Sequence, residues 1–181
     1  MDNQKIKRRR TTGFRCQLPL LVLTSSLVYI HTSYSYTHNY RVRCSIPNKN
    51  QAEVFQRCLK GWREDNFQLP LNPPIVLRRG DHETGKGFEL IRIPPFGLRE
   101  AIVDNVKGPD GTLTMVYRVM NPGWLTFPVS KHEGEIVFSP TDNGGTELVW
   151  NIHWTPLPFC GGITQFFTEL IINQCVKFVV D

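Results

Sequence analysis

The sequence predicts an α+β domain in which a curved antiparallel sheet of about six or seven strands wraps around one long C-terminal helix. Three observations predict it. Between Arg92 and Trp154 the chain falls into runs that alternate apolar and polar residues, among them Thr112–Met120, Val129–Phe138 and Thr146–Trp154. Such alternation marks strands with one buried face. Turn-forming clusters separate the runs: Gly108-Pro109-Asp110-Gly111, Asn121-Pro122-Gly123 and Asp142-Asn143-Gly144-Gly145. The last segment, Gly162 to Val180, has helical length and follows Pro156, Pro158 and Gly161. A sheet closed by one helix suggests a cup around an apolar interior.

The elements follow in order. Tyr40 to Ile46 reads as a first strand stopped by Pro47-Asn48. Gln51 to Trp62 has helical spacing, with Val54, Phe55, Cys58, Leu59 and Trp62 on one face. Asn48 or Asn50 supplies its cap, and Glu53 suits the first turn. Asp65 to Pro74, with three prolines, is a connection or a short helical turn. Ile75 to Arg79 is a strand, and Gly80 to Gly87 a polar turn. Phe88 to Ile93 and Leu98 to Val106 form a hairpin around Pro94-Pro95-Phe96-Gly97.

Residues 1–39 read as a targeting leader and 40–181 as the folded domain. Residues 1–35 hold six Lys and Arg against the single acid Asp2, while the whole chain carries a net +5. The remaining chain is therefore balanced. It offers no basic stripe to follow a phosphate backbone, and no nucleic-acid partner is expected. The basic start, the apolar run Leu18 to Ile30 and the small-x-small triplet Ser33-Tyr34-Ser35 have the form of a cleaved signal or transit peptide. The run is shorter than the ~20 residues a spanning helix needs, which makes a retained anchor the lesser alternative. The expected destination is the secretory pathway or an organelle such as a plastid. Cys44, Cys58, Cys160 and Cys175 lie in the domain, with no Cys-x-x-Cys pair. Buried free thiols are favoured over disulfides.

Two motifs are turned down. Gly80 to Lys86 matches part of a phosphate-binding loop, but Gly87 stands where Ser or Thr belongs and a strand follows instead of a helix. Asp81-His82-Glu83 has no second cluster at zinc or calcium spacing, so no metal and no cofactor is expected.

The order strand, helix, six strands, long helix is the helix-grip layout, and the residues resemble the START-like (SRPBCC) superfamily, of the polyketide cyclase/dehydrase and lipid-transport type. The segments that carry the resemblance are IPNKNQAEVFQRCL, GKGFELIRIPPFGLREAI, LTMVYRV, FPVSKHEGEIVFSP and GGTELVWNIHWTP, spread over residues 40–181. The resemblance implies a cavity between sheet and terminal helix. Members bind lipids, sterols, hormones or polyketides, and some catalyse cyclisation or dehydration. The superfamily shares no universal catalytic set, so fold does not carry activity with it.

Strand parity assigns the faces. Leu148, Trp150, Ile152 and Trp154 form one apolar row, and Arg92, Glu100, Tyr117 and His132 sit in apolar rows of their own strands. They become polar groups on the concave face. Arg92 either holds a ligand carboxylate or pairs with Glu100, and His132 either moves protons near neutral pH or is a hydrogen-bonded core residue. The terminal helix is expected to turn Ile163, Phe166, Phe167, Leu170, Ile171, Gln174 and Phe178 toward the sheet. The ligand-contact candidates are Arg92, Glu100, Tyr117, His132, Trp150, Phe167 and Gln174. Trp124, Leu125 and Phe127 form a rim suited to transient membrane contact, or a packed loop. The expected function is binding of an apolar or amphipathic small molecule. The alternatives are a cyclase or dehydratase, and an interaction protein whose interior is filled.

Overall fold

A computed structural model describes residues 37–69, 73–92 and 97–181. Residues 1–36, 70–72 and 93–96 lie outside the described residues, and with them most of the expected leader and of the turn expected around Pro94-Pro95-Phe96-Gly97. Seven strands and two α-helices follow one another: β1 (His38–Ile46), α1 (Gln51–Lys60), β2 (Ile75–Arg79), β3 (Phe88–Arg92), β4 (Leu98–Lys107), β5 (Leu113–Val119), β6 (Val129–Pro140), β7 (Thr146–Pro156) and α2 (Gly161–Val180). The strands form one antiparallel sheet in the order β1-β7-β6-β5-β4-β3-β2. β1 begins at His38, two residues ahead of the expected strand.

Helix α1 starts where a capping box fixes it. The Asn50 side chain accepts from the Glu53 N–H at 3.0 Å, and the Glu53 carboxylate accepts from the Asn50 N–H at 3.0 Å. It ends earlier than its apolar spacing predicts. After Lys60 the backbone widens into a π-type turn over Gly61–Asp65 and then a 3₁₀ turn over Asn66–Gln68. Asn66, Phe67 and Gln68 all have left-handed backbones, with φ of 46°, 51° and 52°. The turn carries Trp62 and Phe67 into the interior, where both are buried. Gly61 is required beneath it, since a Cβ at that position would meet the Phe67 ring.

The strand faces follow the predicted parity. Leu148, Trp150, Ile152 and Trp154 are buried, while His153 is exposed. A bulge between Ile102 and Asp104 shifts the register of β4 only after Ile102, which leaves the Leu98–Glu100–Ile102 row intact.

The terminal helix is rotated from its expected phase. Thr164, Thr168, Ile172, Cys175, Phe178 and Val179 face inward. Ile163, Phe166, Phe167 and Leu170 are about half or more exposed. Over the whole helix the apolar residues are spread around the axis, so hydropathy does not select a face. A polar contact does: the Trp154 indole N–H donates to Thr164 Oγ1 at 3.1 Å, and that hydroxyl donates back to the Cys160 carbonyl at 2.9 Å. Pinning Thr164 against β7 turns Phe166 and Phe167 outward.

Candidate functional site

The four polar residues assigned to the concave face do come together. Arg92 closes β3, and its Nε donates to Glu100 Oε2 at 2.6 Å from the neighbouring strand β4. The pair is deeply buried, with side-chain exposures of 4% and 13%. A buried guanidinium needs every partner it can find. Arg92 also donates from Nη1 to Asn66 Oδ1, and its Cζ stands 5.2 Å from the centre of the Trp62 ring.

From Trp62 the cluster continues through rings. Trp62 and Tyr117 meet edge-on at 4.9 Å between centroids, and Trp150 Nε1 donates to Tyr117 Oη at 2.9 Å. Tyr117 lies across the strand pair from Gly134, where any Cβ would strike its ring. The His132 ring sits 5.7 Å from Tyr117 and 5.7 Å from Phe127. Phe67 fills the space between sheet and helix, 6.1 Å from Trp150 and 5.7 Å from Phe178.

Burial controls the acid–base state of this cluster. It pushes the Tyr117 hydroxyl well above its usual range and the Cys175 thiol up to about 12. It lowers His132 to about 4, against the opposing pull of Glu100 and Glu133. Of the two roles expected for His132, this favours the core residue: burial against Tyr117 and Phe127 disfavours the imidazolium, although the half-buried ring also lines the hollow described below. Cys44, Cys58, Cys160 and Cys175 are free thiols.

Three nitrogens of the cluster have no hydrogen-bond partner among the described residues: Trp62 Nε1, Asn66 Nδ2 and His132 Nδ1. Trp150 lies in the cluster as expected. Phe167 does not: it is 47% exposed, because the phase of α2 carries it to the outer side. Gln174 is half-buried on α2. Sequence reasoning missed Asn66 and Phe67 altogether. They lie in a stretch that the downstream prolines mark as a connection, and no local pattern announces a left-handed turn there.

Elsewhere, a hollow of about 460 Å³ opens over β5, β6 and β7, lined in part by Arg118, Lys131, Glu133, His153 and Thr155. Arg118 and Glu133 pair across it at 2.6 Å. Val119, His132 and Trp154 also line it, so the hollow abuts the interior cluster at its His132 end. The Gly80–Gly87 turn folds on itself. Asp81 Oδ1 accepts from the Thr84 N–H at 2.7 Å and from its hydroxyl at 2.6 Å, so the carboxylate caps its own loop. Among the described residues no group of three His, Cys, Asp or Glu side chains is placed to hold a metal, and no helix is long and apolar enough to cross a membrane.

No family model matches the chain, and no curated protein matches it. Solved structures do. Norcoclaurine synthase from Thalictrum flavum, in complex with dopamine and hydroxybenzaldehyde, superposes with a TM-score of 0.59 at 12% identity, over 96% of this chain and 95% of that one. Ara h 8.0201 matches with a TM-score of 0.54 at 13% identity, over 80% and 95%. The di-domain ARO/CYC StfQ from the steffimycin biosynthetic pathway matches at 0.57 and 12% identity, over 89% of this chain and 56% of that chain. The likeness shows the fold: the chain has a helix-grip fold, a curved antiparallel sheet against a long C-terminal helix, as these solved structures do.

Proposed function

We propose that this protein binds an apolar or amphipathic small molecule between the sheet and α2, for transport, sequestration or sensing. One observation carries the reading. A ring-lined interior contains a cluster of buried polar groups, Arg92, Glu100, Asn66 and Tyr117, part of whose hydrogen-bonding capacity is unused. A core selected for stability alone does better with apolar side chains than with a buried ion pair. Binding is favoured over catalysis because Arg92 and Glu100 engage each other and His132 is neutral at pH 7 without a partner for Nδ1. Loading at a membrane surface would use Trp124 and Leu125, which stand 61% and 84% exposed on the β5–β6 loop. A cleaved leader ending ahead of His38, where β1 begins, would direct the domain to the secretory pathway or an organelle.

A second reading has its own support. Phe67, Trp62 and Phe178 already occupy the space between sheet and helix, as an interaction protein with a filled interior would require. Native mass spectrometry of the protein purified from its native source, followed by denaturing extraction, separates the two. A co-purifying apolar molecule released on unfolding supports binding. Repeated absence of an adduct, with no thermal protection by added lipids, supports the filled interior.

A further inference from the structure

We infer that the ligand's polar end is an uncharged carbonyl oxygen, received by Trp62 Nε1 and Asn66 Nδ2 beside Arg92. The inference rests on the binding reading above and specifies the chemistry of the same site.

Both unpartnered groups flank one guanidinium. Asn66 accepts from Arg92 through Oδ1, and Arg92 Cζ stands over the Trp62 ring. Both residues are more than nine-tenths buried. Their free atoms are of one kind. An indole nitrogen only donates, and the Asn66 amide must point its oxygen at Arg92, because the flipped amide would set donor against donor. Asn66 Nδ2 is thus a donor as well. A buried donor without an acceptor is costly, on the order of 1–3 kcal/mol, so the site is made to receive an acceptor.

Charge narrows the acceptor further. Glu100 already neutralises Arg92 at 2.6 Å. A ligand carboxylate would leave a net negative charge in a dry interior, and an ammonium would face donors only. A ketone, aldehyde, ester or amide oxygen has lone pairs for such donors and adds no charge. The expectation that Arg92 holds a carboxylate is replaced by this one.

Three matched probes test the inference on the full chain by equilibrium dialysis: 2-acetylnaphthalene, 2-ethylnaphthalene and 2-naphthoate. The ketone should bind at least about fivefold more tightly than the hydrocarbon, as one or two neutral hydrogen bonds to buried donors allow, with naphthoate the weakest. In ¹⁵N spectra the Trp62 indole N–H should shift with the ketone and not with the hydrocarbon. Trp62→Phe keeps the ring and removes the donor. It should abolish the ketone's advantage, read as the ratio of ketone to hydrocarbon affinity in the same variant. Asn66→Asp keeps an oxygen toward Arg92, replaces the donor with an acceptor, and should do the same if Trp62→Phe fails to fold. Equal affinity of ketone and hydrocarbon for the unsubstituted chain, or tightest binding by naphthoate, overturns the carbonyl assignment and leaves the binding reading standing. Failure of all three probes overturns both.

Discussion

Replacing His132 with Phe should remove a defined part of the protein's acid sensitivity. In the unfolded chain this histidine takes up a proton near 6.5, whereas in the folded protein burial holds it to about 4. Between those values the unfolded state carries more protons, so stability is full above about pH 6.5 and falls as pH falls toward 4. The difference of roughly 2.5 pH units corresponds to about 3 kcal/mol in all, of which about 2 kcal/mol is lost between pH 7 and pH 5. That window separates His132 from the carboxylates. Glu89 and Asp104 have ordinary values of 4.5 and 3.8 that their cationic partners lower further, so their contributions disappear only at lower pH. Phenylalanine retains ring contacts with Tyr117 and Phe127 and does not titrate. Urea unfolding at pH 7, 6 and 5 should show the native chain losing about 2 kcal/mol more than His132→Phe across the range. Identical pH dependence in the two proteins, or an NMR titration placing His132 near 6.5, would refute the argument that a dry interior controls this residue.

Three further changes probe the same interior. Gly134→Ala should destabilise by about 2–3 kcal/mol and alter tryptophan fluorescence, because its Cβ is aimed at the Tyr117 ring that receives the Trp150 hydrogen bond. Arg92→Leu should cost about 3–5 kcal/mol by stranding Glu100, and Arg92→Leu with Glu100→Leu should recover most of that in denaturant unfolding. Phe67→Ala should lose about 3 kcal/mol and bind 2-ethylnaphthalene severalfold more tightly by dialysis. Stability loss without any gain in binding would favour the filled-interior reading.

Much of the site was legible because a strand's faces are fixed by a period of two. Glu100, Tyr117 and His132 each share a row with apolar neighbours, and those rows do face the interior. The β4 bulge spared the prediction only because it falls after Ile102. Helix α2 was not legible in the same way. Its apolar residues surround the axis, so the choice of face came from one hydroxyl, Thr164, meeting one indole, Trp154. Pattern reading has no access to a contact between elements. The same limit hid Asn66. Its position depends on a π-type turn after Lys60 and on a buried arginine contributed by a distant strand.

The turn from Gly61 to Gln68 also reconciles a filled interior with a ligand site. Asn66 tolerates a left-handed backbone at little cost, but Phe67 and Gln68 each cost roughly 1–2 kcal/mol there. Burying the Phe67 side chain contributes about 2–3 kcal/mol, and the hydrogen bond from Arg92 to Asn66 about 1.5–3. The two sides nearly balance, so the closed turn is held by only a few kcal/mol. A ligand whose apolar body replaces the Phe67 ring would restore most of the lost burial. Its oxygen would satisfy Trp62 and Asn66 in the same step. On the binding reading Phe67 would be a removable occupant of the interior, and its deletion should raise affinity even as it lowers stability.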